Sequence, residues 1–114
     1  MNQNMEKITP DQGQDVSCQW VLDHLDSISL IDVRNPDEYN GPLGHINNAR
    51  LIPIAEFDFR QSEIPSEGPV VYICHSGKRS LMAVEKMRNR GQEDSWNMAG
   101  GMVKWSGSGF PAQR

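Results

Sequence analysis

The chain has 114 residues, 37% of them hydrophobic and 23% charged, with a formal net charge of −4. That length suits one domain able to bury its own core, and the acidic balance argues against nucleic acid or an anionic membrane as the main partner. No stretch is long and apolar enough to span a bilayer, and the Met1-Asn2-Gln3-Asn4 start lacks the basic-then-apolar order of a secretion signal, so a cytoplasmic location is expected.

Residues 1–15 are polar and read as a flexible N-terminal leader, with Ile8 pairing at most briefly at a sheet edge. Residues 16–114 read as a single domain, since no linker, repeat or low-complexity segment divides them. Ser17 suits the N-cap of a helix running to about Asp26, in which Trp20, Val21, Leu22 and Leu25 can face a sheet. Ser29 to Val33 has the apolar content of a central strand. Asn35 to Tyr39 reads as a short helical turn with Pro36 at an early position. Ala49 to Ile52 predicts a short strand that stops at Pro53, and Ile54 to Phe59 predicts another short helix.

The run Pro69-Val70-Val71-Tyr72-Ile73 is β-branched or aromatic almost throughout, which suits a strand buried on both faces of a parallel sheet. From Leu81 to Arg90 the spacing becomes helical, with Leu81, Val84 and Met87 on one face and Gly91 as the stop. Asp94 to Met98 gives a further strand, and Gly101 to Trp105 a closing helical turn. The order of elements predicts an α/β fold, a doubly wound and mostly parallel sheet flanked by helices on both faces.

Cys74 falls at the C-terminal end of a strand, in a tight turn that opens a helix, and that edge of an α/β sheet is where ligands bind. Backbone N–H groups around Ser76, Gly77 and Lys78 can converge there on an anion. Lys78 and Arg79 add formal positive charge, and His75 adds more when protonated. A thiolate in that cradle is stabilised, so the Cys74 pKa is expected below the roughly 8.5 of a free cysteine. A plain buried cysteine is the competing reading, and so polar and basic a loop argues against it. Cys18 reads as a small hydrophobe at a helix start in preference to a resolving cysteine, because a disulfide demands close Cα atoms and an oxidising compartment. The two cysteines form no metal-type pair.

Three stretches resemble the rhodanese family. Cys74-His75-Ser76-Gly77-Lys78-Arg79-Ser80 is similar to its active-site loop, which in single-domain members commonly reads Cys, Arg or a similar residue, Ser, Gly, any residue, Arg, Ser. Leu30-Ile31-Asp32-Val33-Arg34-Asn35-Pro36-Asp37-Glu38-Tyr39, followed by Gly44-His45-Ile46 and Ala49, resembles the N-terminal signature. Ala99-Gly100-Gly101-Met102-Val103-Lys104-Trp105 with Gly109-Phe110-Pro111 resembles the C-terminal one, and together the matches cover roughly residues 16–111. There are departures: His75 replaces the more usual Arg, residues 39–43 form a slightly longer connection, and Asn48 stands where Gly is frequent. Asn tolerates a positive φ better than other non-glycine residues, so the same turn is expected at Asn48.

The resemblance implies a rhodanese-like fold and a thiosulfate sulfurtransferase, with Cys74 as the catalytic nucleophile and a persulfide intermediate. His75, Ser76, Gly77, Lys78, Arg79 and Ser80 would bind the donor, and no metal or cofactor is implied. Thiosulfate is preferred to mercaptopyruvate as the small anionic donor because the loop is charged; cyanide, a thiol or a partner protein would accept the sulfur. Asp32 and Arg34 are expected to support the loops, Arg34 by pairing with Glu38 or Asp37, although an Arg34 exposed to an anionic substrate is also conceivable. Gly100 and Gly101 would permit close backbone approach, and His45 is expected in a structural turn. Trp96, Trp105 and Phe110 read as packing residues, with Trp105 or Met102 candidates for the pocket rim. Two other classes remain: a non-enzymatic adaptor or persulfide relay, and a cysteine-dependent phosphatase. The latter is disfavoured because only four residues separate Cys74 from Arg79 where phosphatases have five.

Overall fold

A computed structural model describes residues 8–114 as alternating strands and helices. The strands are β1 (Asp15–Val16), β2 (Ser29–Asp32), β3 (Arg50–Leu51), β4 (Val70–Ile73) and β5 (Ser95–Met98). The helices are α1 (Cys18–Asp23), α2 (Pro36–Tyr39), α3 (Lys78–Asn89) and α4 (Gly101–Gly107), with short 3₁₀ segments at Leu25–Ser27, Ile54–Phe59 and Gln61–Glu63. The sheet order is β1-β5-β4-β2-β3, and every neighbouring pair is parallel.

Strand β4 is central and all four of its residues are buried, as its unbroken apolar run requires. Its side chains alternate between two cores. Val71 and Ile73 join Cys18, Val21, Met98, Met102 and Trp105 under α1 and α4, whereas Val70 and Tyr72 join Phe57, Ala83, Val84 and Met87 under α3. Cys74 continues the second series, so Cys18 and Cys74 lie in cores on opposite faces of the sheet and both are free. The resolving-cysteine reading of Cys18 therefore has no geometric basis.

Three local expectations change. Ile8 is 41% exposed and does not pair at the edge; that place is taken by Asp15 and Val16, in register with Asn97 and Met98. Two residues are too few to show a strand period in the sequence. Residues 1–7 of the expected leader lie outside the described residues, while Thr9 is buried and its hydroxyl donates to the Asp94 carboxylate at 3.3 Å. Helix α1 ends at Asp23, where the His24 amide donates to the carbonyls of Trp20 and Val21, and the chain continues as a 3₁₀ turn. Helix α3 begins at Lys78, three residues before apolar spacing appears, and its buried stripe is Ser80, Ala83, Val84 and Met87. Ser80 occupies the position that the spacing assigns to Leu81. The hydroxyl is consequently turned towards the sheet.

Turn geometry follows local residue choice. Ser17 caps α1, its Oγ accepting the Trp20 N–H at 2.9 Å. Asn35 and Glu38 form a capping box around α2, which starts at Pro36. Asn48 has φ 72°, the left-handed turn expected of it.

Candidate active site

The end of β4, the N-terminus of α3 and the N-terminus of α4 meet at Cys74. Its side chain is 1% exposed, and Sγ accepts the Gly77 N–H at 3.0 Å and faces the Ser80 Oγ at 3.2 Å. Gly77 adopts φ 106° as the N-cap of α3. That left-handed conformation turns its amide back towards the sulfur. Burial pushes the Cys74 thiol up, but the Ser80 hydroxyl and the N–H groups of Ser80, Gly77 and Ser76 together outweigh it, and the net shift is downward. The site therefore favours a thiolate while keeping it largely out of water.

The loop is also held from behind by α4. The Met102 and Val103 amides, otherwise orphan donors of a helix first turn, give hydrogen bonds to the carbonyls of Cys74 at 2.9 Å and His75 at 3.0 Å. Gly101, at φ 59°, makes this approach possible: a Cβ there would lie 2.4 Å from the His75 oxygen and 2.5 Å from the Cys74 oxygen. Gly100 adopts φ 84° as the N-cap of α4.

The other loop residues divide by exposure. His75, Ser76 and Lys78 are exposed, Gly77 and Arg79 are partly buried, and Ser80 is fully buried. Arg79 is committed to a partner. Its two terminal nitrogens each donate at 2.8 Å to a separate carboxylate oxygen of Glu38. The guanidinium holds Glu38 at about 2, burial opposes this, and the Asn35 N–H adds to it.

Asp32 and Arg34 form a second, buried ion pair at the end of β2, beside β4. Asp32 accepts from the Arg34 Nη2 at 2.8 Å, from Nε at 2.9 Å, and from the Arg34 backbone N–H at 3.1 Å. Arg34 also donates to the backbone oxygens of Gly44 at 2.8 Å and Glu38 at 3.2 Å. With 1% exposure it is not presented to a ligand, and its carboxylate partner is Asp32, not Glu38 or Asp37. The pair instead ties the α2 connection to the sheet edge. His45 stacks on Tyr39 with ring centroids 3.7 Å apart and its Nδ1 lies 2.8 Å from the Tyr39 oxygen, a structural arrangement. Trp105 and Met102 are wholly buried and do not reach a rim.

Two contributors were not legible beforehand as members of the site. Glu38 is expected from the sequence only as a partner of Arg34; its pairing with Arg79 spans 41 positions. Asn97, buried on β5, lies with its Oδ1 2.5 Å from the Ser80 Oγ. Nothing in the local sequence marks that contact. Among the described residues, no group of three or more His, Cys, Asp or Glu is placed to hold a metal ion, and no helix is long and apolar enough to cross a membrane.

A parallel α/β domain that presents one buried cysteine inside a strand-to-helix anion cradle defines the class. Residues 17–108 match the rhodanese-like domain model, and the chain belongs to that family. It is 41% identical over 78 residues to the uncharacterized Bacillus subtilis protein YqhL, a match covering 68% of this chain and 60% of that protein's length. It is 34% identical over 90 residues to a sulfurtransferase of Allochromatium vinosum, covering 79% of this chain and 82% of the relative. Among solved structures, the human single-domain sulfurtransferase TSTD1 superposes with a TM-score of 0.71 at 26% identity, covering 84% of this chain and 97% of that one.

Proposed function

We propose that the protein is a sulfurtransferase that moves a sulfane sulfur from a small anionic donor such as thiosulfate to cyanide or a thiol. The observation that carries this reading is the Cys74 sulfur, buried yet facing the Gly77 N–H and the Ser80 hydroxyl at the mouth of α3. The names borne by the Allochromatium and human relatives support it.

In the first half-reaction the Cys74 thiolate attacks the outer sulfur of thiosulfate. A Cys74 S–S bond forms as the donor S–S bond breaks, and sulfite leaves with the electron pair. The terminal sulfur of the persulfide carries the negative charge and lies within reach of the exposed part of the loop, where His75, Ser76 and Lys78 supply charge and polar groups. In the second half-reaction cyanide attacks that sulfur, thiocyanate departs, and the Cys74 thiolate returns. Neither half needs a general base, because the two attacking groups, the Cys74 thiolate and cyanide, are anions and both leaving groups are stable anions. Fixed dipoles supply the catalysis.

The test is intact-mass measurement after incubation with thiosulfate. One added sulfur atom on Cys74, removed by cyanide with formation of thiocyanate, is expected of the wild type and of Cys18→Ser but not of Cys74→Ser. An adduct that persists in Cys74→Ser overturns the assignment. So does hydrolysis of an aryl phosphate by a wild type that takes up no sulfur.

A further inference from the structure

The hydrogen bonds around Cys74 do not end at Ser80. Ser80 Oγ lies 3.2 Å from the Cys74 Sγ and 2.5 Å from the Asn97 Oδ1, and the Asn97 Nδ2 donates at 2.9 Å to the Asp15 carboxylate. Ser80 and Asn97 are buried, whereas Asp15 is exposed on the edge strand β1. The chain of groups thus runs from the buried sulfur to solvent across β5.

A serine hydroxyl has one hydrogen to give, and here two acceptors compete for it. A carboxylate only accepts, so Asp15 fixes the Asn97 amide with Nδ2 outward and Oδ1 towards Ser80. Oδ1 then draws the hydroxyl hydrogen. While Cys74 is a thiol this is satisfactory, since S–H donates to Ser80 Oγ and Ser80 donates to Asn97. When the thiol proton is lost to solvent, the hydroxyl hydrogen must swing to the sulfur and leave Oδ1 of a buried amide bare, which opposes ionisation. If the amide turns over instead, Nδ2 donates to Ser80 Oγ and the hydroxyl hydrogen stays on the sulfur.

We propose that Asn97, its amide held by Asp15 from β1, is a positioning residue that decides whether the single Ser80 hydrogen points at Cys74. The edge strand thereby tunes the nucleophile from outside the active-site loop. This holds whatever cargo Cys74 carries, so it stands or falls separately from the sulfur-transfer reading. The other charged groups around the loop are Arg79 with Glu38, the Asp32–Arg34 pair, His75, Lys78 and Lys104 of α4; none of these reaches the Ser80 hydroxyl by a hydrogen bond.

The experiment is the pH dependence of Cys74 alkylation by iodoacetamide, read by mass mapping in a Cys18→Ser background. Asp15→Asn lets the amide turn, so the alkylation rate on the rising limb should increase about fivefold, the equilibrium worth of one net hydrogen bond. In Ser80→Ala the same substitution should have no effect, because the hydrogen in question is gone. Asn97→Ala should act like Asp15→Asn, again only with Ser80 present. Should Asn97→Ala fail to fold, the exposed Asp15 site decides alone. An equal rate increase in both backgrounds would show that the Asp15 charge acts through space, and an unchanged or slower rate with Ser80 present would show that Asn97 does not compete for the hydrogen. Either result overturns the proposal.

Discussion

Arg79 and Glu38 meet end to end, both terminal guanidinium nitrogens 2.8 Å from separate carboxylate oxygens, and so one of the two formal cations of the Cys74 loop is already half spent. The pair joins the first turn of α3 to the last part of α2. An anion drawn to that guanidinium would have to share it with a neighbour of its own sign.

Glu38→Gln should release Arg79 and lower the KM for thiosulfate several-fold, with a smaller change in kcat. Arg79→Ala should do the opposite and raise KM by about tenfold or more, because it also leaves the Glu38 carboxylate without its cation. The double variant Glu38→Gln/Arg79→Ala should recover part of that loss. Steady-state kinetics over a thiosulfate series measures all three, and a double variant no better than Arg79→Ala alone would show that Glu38 is electrostatically silent.

The same pair sets an acid sensitivity. Glu38 is held at about 2 against an ordinary 4.5. A carboxyl with a depressed folded pKa contributes stability that is fully present above its unfolded value and is lost as pH falls through the folded one. Glu38→Gln should therefore flatten the fall in stability between about pH 4.5 and 2. With the two side chains 28% and 31% exposed, the effect should stay under about 1 kcal/mol. Glu63, bonded to Arg60, is also held at about 2, so some acid dependence survives the substitution. Urea midpoints measured across this pH range provide the check.

Breaking the buried pair should cost far more. Asp32→Ala strands Arg34 in a site with 1% exposure, and Arg34→Ala strands Asp32 at 0%. Each should destabilise the fold by about 3–5 kcal/mol, as removal of one member of a buried pair does. Thermal unfolding measures this. A variant that loses sulfur transfer at unchanged stability would instead place the residue in the chemistry.

Gly101→Ala should disturb the Cys74 loop through its backbone. The left-handed φ alone costs a side-chain-bearing residue about 1–3 kcal/mol, and the added methyl would press on two carbonyl oxygens that α4 has to bind. Loss of persulfide formation is expected together with a lower Tm. Gly107→Ala, in the same helix with nothing within 4 Å, should be neutral or stabilising by about 0.5–1 kcal/mol.

The sequence carries the central part of this structure openly. Strand β4 shows as an unbroken apolar run because it is buried on both faces, and the Cys74 turn shows because glycine, cations and hydroxyls follow that run at once. What it hides is pairing at a distance. Arg34 was expected to reach forward to Glu38 or Asp37 along the helical turn, whereas the bend after β2 folds its guanidinium back onto Asp32, two residues away. Glu38 is thereby left for Arg79, which reaches it from the first turn of α3. Strand β1 was hidden for another reason: two residues have no period, and Val16 is recognisable as a core position only once β5 lies beside it. Asn97 looked like any polar residue in a strand until Ser80 proved to face the sheet.

The hydrogen bonds from Met102 and Val103 go to the carbonyls of Cys74 and His75, and the amide that meets the sulfur belongs to Gly77. The shape of the loop is thus written in main-chain atoms, while the side chains at 75, 76 and 78 are exposed. Those three positions form an interchangeable lining on a fixed mount. A combinatorial library at His75, Ser76 and Lys78, with Gly77, Gly100 and Gly101 untouched, is the natural starting point for redirecting the thiol to new electrophiles without redesigning the domain beneath it.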